Sequence, residues 1–125
     1  LGAYHAVNLA FRHPQRFVKA VGLSGRYDLT VAMPDFAPLL GGYYDDTVYF
    51  HMPSHYVPNL TDSEPLESLR RLHICLVVGK DDPFRPNNEH LSGHLWAKGI
   101  GHEFHLWEGR AHRPQHWREM VRLYL

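Results

Sequence analysis

Two short loops carry the residues best suited to acid–base chemistry. Gly79-Lys80-Asp81-Asp82-Pro83 follows one apolar run, and Gly109-Arg110-Ala111-His112 follows a later one. A carboxylate beside an imidazole fixes the ring's tautomer and stabilises the imidazolium that forms when the ring accepts a proton. Asp82 is the favoured acid because Gly-x-x-Asp gives a tight exit from a strand and a carboxylate aimed back across the sheet; Asp81 is the alternate. The chain opens with Leu1-Gly2-Ala3-Tyr4-His5-Ala6. This pattern reads as the rear half of a nucleophile elbow, Gly-x-Ser-x-Gly. Leu1 would offer a backbone N–H to an oxyanion, Gly2 would be the closing glycine, and the serine would precede Leu1. Each piece has a plainer reading. The acidic turn can simply cap a helix, and with eleven histidines in the chain one falls on a loop easily.

Gly22-Leu23-Ser24-Gly25 offers a substitute nucleophile at another strand end. Position 26 is Arg where an elbow needs Gly, so a turn leaving a strand is the better account. The other histidines raise the question of a metal. His102-x-x-His105 lies on an expected strand, where an offset of three sends the side chains to opposite faces. His112-x-x-x-His116 is interrupted by Pro114, which works against a shared helical face. No metal site and no cofactor are expected.

The elements that must hold these loops follow from periodicity. Residues 2–13 predict a helix stopped by Pro14, with Gly2, Ala6 and Ala10 forming a row of small side chains suited to close packing on a sheet. Residues 17–23 predict a buried strand. Asp62-Ser63-Glu64-Pro65 starts a helix whose Leu66, Leu69 and Leu72 share a face. The unbroken run from His73 to Val78 is typical of a parallel strand covered on both sides. A helix from about 87 to 98 turns Leu91, Leu95 and Trp96 inward, a third strand covers 102–107, and a last helix covers about 116–125. Between them, residues 28–60 show no clear period. They hold the aromatic stretch Tyr43-Tyr44-Asp45-Asp46-Thr47-Val48-Tyr49-Phe50, and an irregular excursion of this length is often a functional loop. Tyr43, Tyr49 and Phe50 are the expected pocket residues. Alternating helices and strands call for an α/β fold with a parallel sheet, here about three strands and four or five helices.

Composition narrows the partners. Thirteen basic residues balance thirteen acidic ones, which gives no reason to expect nucleic acid or an anionic membrane. No apolar run approaches the roughly 18 residues of a membrane span. The 44% apolar content supports a packed core rather than disorder. The lone Cys75 excludes an internal disulfide and suits a reducing, cytoplasmic setting.

Taken together the motifs resemble the α/β-hydrolase superfamily, within it the esterase group that includes esterase D-like and mycolyltransferase-like enzymes. Leu1 to Ala6 is similar to the elbow and first helical turn. Leu23-Ser24-Gly25-Arg26-Tyr27-Asp28-Leu29 is similar to the group's next strand end. Tyr49 to Pro58 resembles its Tyr/Pro-rich loop, and Trp107-Glu108-Gly109 with His112 and Trp117 its histidine loop. The likeness implies that the chain is the C-terminal half of one such domain. It makes Asp82 the triad acid, His112 the triad base and the Leu1 N–H one oxyanion donor, and it implies hydrolysis of a small-molecule ester. Two departures stand out: the serine and all that precedes it are missing, and Arg113-Pro114-Gln115-His116 is less aromatic than the family pattern. By this reading the 125-residue piece is inactive by itself, and its first strand exposes an edge open to another chain or a second copy. Three alternatives stay open: a non-catalytic interaction module or pseudoenzyme, an acyltransferase, and metal-dependent hydrolysis through the histidines.

Overall fold

A continuous apolar strand at the centre organises the chain. In the computed structural model, which describes residues 1–36 and 39–125, this is β2 (His73–Gly79), buried from Ile74 to Gly79. It is flanked by β1 (Lys19–Leu23) and β3 (Glu103–Trp107) in the order β1-β2-β3, both pairings parallel. Parallel neighbours require crossovers, and helices supply them. The helices are α1 (Gly2–Arg12), α2 (Asp46–Phe50), α3 (Pro53–Tyr56), α4 (Ser63–Arg71), α5 (Arg85–Ala97) and α6 (Pro114–Tyr124).

Alternation along β2 divides the core in two. Ile74 and Leu76 pack with Val7 and Phe11 of α1, Leu69 of α4, and Leu91 and Leu95 of α5. Cys75 and Val77 point the other way, toward Met120 of α6 and the half-buried Trp117 and Tyr124. The architecture is therefore helix, sheet, helix, as the α/β pattern requires.

Several boundaries differ from the sequence expectation for identifiable reasons. Residues 46–50 and 53–56 are helical where no period was visible, because a helix of one turn is too short to show one. Asp45 caps α2 by accepting from the Val48 N–H at 2.9 Å. The described residues thus form six α-helices, the two additional short ones included. Helices α5 and α6 start earlier than expected, each with a proline in its first turn, where the missing N–H leaves nothing unsatisfied. The strand expected from Phe17 begins at Lys19, with Val18 exposed. Of the small-residue row of α1 only Ala10 is buried: Gly2 and Ala6 are exposed, and Tyr4, Val7, Asn8 and Phe11 make up the rest of the buried face. Larger apolar groups at i, i+3, i+7 outcompete a methyl row for the core. Trp96 is exposed as well, its indole 4.3 Å from the His102 ring centre.

At the exit of β2 the backbone comes very close to the loop after β3. A Cβ added at Gly79 would lie 2.1 Å from the Arg110 carbonyl oxygen and 2.5 Å from that of Gly109. Both obstacles are main chain, so neither can swing aside. Gly79→Ala is expected to destabilise the fold by about 3 kcal/mol or more, or to prevent folding. Denaturant unfolding of the variant beside the wild type checks this, and a loss below about 0.5 kcal/mol would show that the loops separate easily.

Candidate active site

The close approach at Gly79 brings the two candidate loops together at the carboxyl edge of the sheet, where open parallel sheets place their ligands. The Lys80 N–H donates to the Trp107 carbonyl at 2.8 Å, and the Asp81 N–H to that of Gly109 at 2.9 Å. Asp82 is turned inward by its own N–H to the Gly79 carbonyl at 3.1 Å. Its side chain has no exposure to solvent. One carboxylate oxygen accepts from the Phe84 N–H at 2.8 Å, and the other lies 2.7 Å from His112 Nδ1. Asp81, by contrast, is exposed. With Nδ1–H committed to Asp82, the imidazole's Nε2 is left as the proton acceptor. The His112 side chain remains 38% exposed, open to a reactant on that side.

His112 is preceded by Ala111 at φ 47°, in the left-handed region that a residue with a Cβ occupies only at a cost. Ser24, at the end of β1, has φ 54°. The two strained residues touch: Ser24 Oγ donates to the Ala111 carbonyl at 3.4 Å and accepts from Trp117 Nε1 at 3.2 Å. Strained backbone held by its surroundings clusters at functional sites. Ser24 is buried and its hydroxyl is occupied on both sides, in keeping with a turn residue.

A cavity of about 540 Å³ joins these parts. Its walls include Leu1, Gly2, Ser24, Arg26, His112 and Trp117, so the start of the chain and the imidazole face the same space. The residues expected from the aromatic stretch are elsewhere. Tyr49 and Phe50 line a separate groove with Phe11 and Leu69, while Tyr43 lines a third with Leu29 and donates to Asp45 at 2.6 Å. Tyr49 and Phe50 lie on α2, which Asp45 caps, and Tyr43 precedes that cap. Sequence reasoning missed Arg26, Phe36 and Phe84 as cavity residues. The available signal was the position of Arg26 just past a strand's carboxyl end.

The loop bearing Arg26 is tied to α5. Asn88 Nδ2 donates to the Gly25 carbonyl at 2.7 Å, and Asn87 Oδ1 accepts from the Tyr27 N–H at 2.6 Å. Burial pushes the Tyr27 phenol pKa far up, so it stays protonated. Asp28 closes the loop. Burial opposes its ionisation, but hydrogen bonds from Thr30 and His55 outweigh that and hold its carboxyl below the usual range.

The histidines expected to diverge do so. His102 bonds to Ser92 at 2.7 Å on the α5 side, while His105 lies against the Tyr124 ring on the α6 side. Cys75, Glu103 and His105 each bring one ligand atom within 4.8 Å of the others. Glu103 begins β3, His105 lies at its middle, and Cys75 is the third residue of β2. Burial and then Glu103 push the Cys75 thiol up to about 11, and Glu103 is engaged by both His73 and His105. The cluster is accounted for by these pairings.

No family model matches the chain, and no curated protein does. Solved structures are similar to it. A ferulic acid esterase superposes with a TM-score of 0.75 at 20% identity over 96% of this chain and 44% of its own. FphF, a fluorophosphonate-binding serine hydrolase of Staphylococcus aureus, gives 0.62 at 16% over 98% and 48%. Carboxyl esterase 2 of the mycorrhizal fungus Tuber melanosporum gives 0.53 at 17% over 87% and 41%. The chain thus shares the α/β fold of these structures and spans under half their length.

The Asp28 contacts give a pH dependence of definite sign. A carboxyl with a lowered folded value adds stability that is complete above its unfolded value and is lost as pH falls through the folded one. Asp28→Asn is therefore expected to reduce the loss of stability on acidification below about pH 4. Unfolding midpoints of both proteins across pH 2–6 check it, and identical acid limbs would count against the assignment.

Proposed function

We propose that this chain supplies the acid and base of a serine ester hydrolase whose nucleophile is a serine immediately before Leu1. The observation that carries the reading is the 2.7 Å contact of His112 Nδ1 with a fully buried Asp82 carboxylate, on the wall of a cavity shared with Leu1 and Gly2. The likeness to serine hydrolases and esterases supports it, as does the under-half span of those structures.

The serine oxygen attacks the ester carbonyl as His112 Nε2 takes its proton, and the C=O electron pair moves onto oxygen as the tetrahedral intermediate forms. Asp82 keeps the ring oriented and stabilises the imidazolium without itself being protonated. Collapse of the intermediate expels the alcohol, which receives the proton from His112 and leaves an acyl-serine. Water then repeats the sequence to release the acid. The Leu1 N–H is one oxyanion donor, and a second comes from elsewhere in the intact protein.

In the intact protein, His112→Ala should lower kcat for a simple aryl ester by roughly 10⁴-fold or more, and Asp82→Asn by a similar factor. Asp81→Asn should change it by less than about threefold, since surface substitutions away from the site rarely matter. Covalent labelling by a fluorophosphonate should be lost on replacing the serine before Leu1. Retention of full activity by His112→Ala would overturn the reading. Product analysis with and without an alcohol acceptor separates hydrolysis from acyl transfer.

A further inference from the structure

The cavity beside His112 holds a buried cation that ester cleavage does not use. Arg26 is 6% exposed and forms part of the wall. Its Nη2 donates to the Val31 carbonyl at 2.9 Å, and its guanidinium carbon lies 5.7 Å from the Phe84 ring centre. Its Nε is buried with no hydrogen-bond partner. Among the described residues no carboxylate pairs with it: every ion pair of the fold involves another cation.

Removing a guanidinium from water without a counter-ion is strongly unfavourable, and arginine cannot escape by losing its proton. One carbonyl and one aromatic ring offset only part of that cost. The backbone on either side of Arg26 is fixed by Asn88 to the Gly25 carbonyl and by Asn87 to the Tyr27 N–H, so the group is held in place before any ligand arrives. A rigid planar fork of N–H donors with open positions matches a carboxylate. The rest of the wall is largely apolar, including Leu23, Phe36, Phe84 and Trp117, and about 540 Å³ is ample for a small molecule.

We propose that Arg26 binds a carboxylate of the substrate, so that the site takes esters combining an apolar body with a second, free carboxylate group. The substrate class rests on the ester-cleavage reading above; the anion site itself does not. Phe84 then serves twice, as the surface under the guanidinium and as part of the apolar wall. The strained end of β1 at Ser24 presents Arg26 toward the same space as His112.

Two measurements on the intact protein test this and separate it from the hydrolase reading. Calorimetric titration with 3-phenylpropionate should show binding at least about tenfold tighter than with 3-phenylpropionamide, the margin of one charge-assisted contact. Arg26→Gln should bring the two within about twofold, and His112→Ala should keep the preference. Equal affinities in the wild type, or an unchanged preference in Arg26→Gln, would overturn the proposal. Should that variant fail to fold, the wild-type comparison decides by itself.

The second measurement is kcat/KM for the mono-p-nitrophenyl ester of glutaric acid against p-nitrophenyl butyrate. Arg26→Gln should reduce the first at least about tenfold, mainly through KM, and leave the second within about twofold. Cleavage of both esters with no Arg26 dependence retains the hydrolase and discards the anion site. An Arg26-dependent carboxylate preference without cleavage of either ester keeps the anion site and discards the hydrolase.

Discussion

The site depends on one steric fact: at Gly79 the exit of the central strand runs directly against the main chain of Gly109 and Arg110. No side chain fits between them. With that gap closed, amides of residues 80 and 81 reach carbonyls of residues 107 and 109, and the two loops behave as one unit. Asp82 is folded under this junction and His112 leaves it just above. Their mutual hydrogen bond is a consequence of backbone placement, which is why neither side chain needs a long reach.

Around that junction the buried polar groups are largely satisfied by neighbours rather than by solvent. Asp82 has the Phe84 amide and the imidazole, Ser24 has Ala111 and Trp117, and Asn87 and Asn88 hold the turn after β1. Such networks fix a unique arrangement because any shift leaves a desolvated group unpaired. Arg26 Nε, like Tyr27 OH and Asn88 Oδ1 beside it, is buried without a partner, and Arg26 alone of these carries a full charge with no carboxylate paired to it among the described residues. Arg26 sits in a rigid cradle with donors to spare, and preorganised donors of this kind act on a ligand's charge.

The two faces of the sheet have different tasks. Helices α1, α4 and α5 bury the larger apolar cluster, and α5 also anchors the β1 turn through its first residues. Helix α6 covers a smaller cluster centred on Met120 and brings Trp117 to the cavity. Strand order leaves β1 at one edge of the sheet, beside an apolar hollow formed with Ala6, Leu9 and Val121.

Much of this was legible in the chain itself. The run from Ile74 to Val78 fixed a doubly covered parallel strand, Pro14 ended the first helix, and the Gly-x-x-Asp and Gly-x-x-His spacings put an acid and a base on strand exits. These are local properties, set by side-chain periodicity and by which residues tolerate a turn. The short helices α2 and α3 escaped notice because one turn cannot display a period. What only the tertiary structure decided was proximity. The departure of Tyr43, Tyr49 and Phe50 from the cavity, the arrival of Arg26 and Phe84 there, and the direct contact of Asp82 with the imidazole all follow from how strands and loops pack across distances that spacing along a chain does not encode.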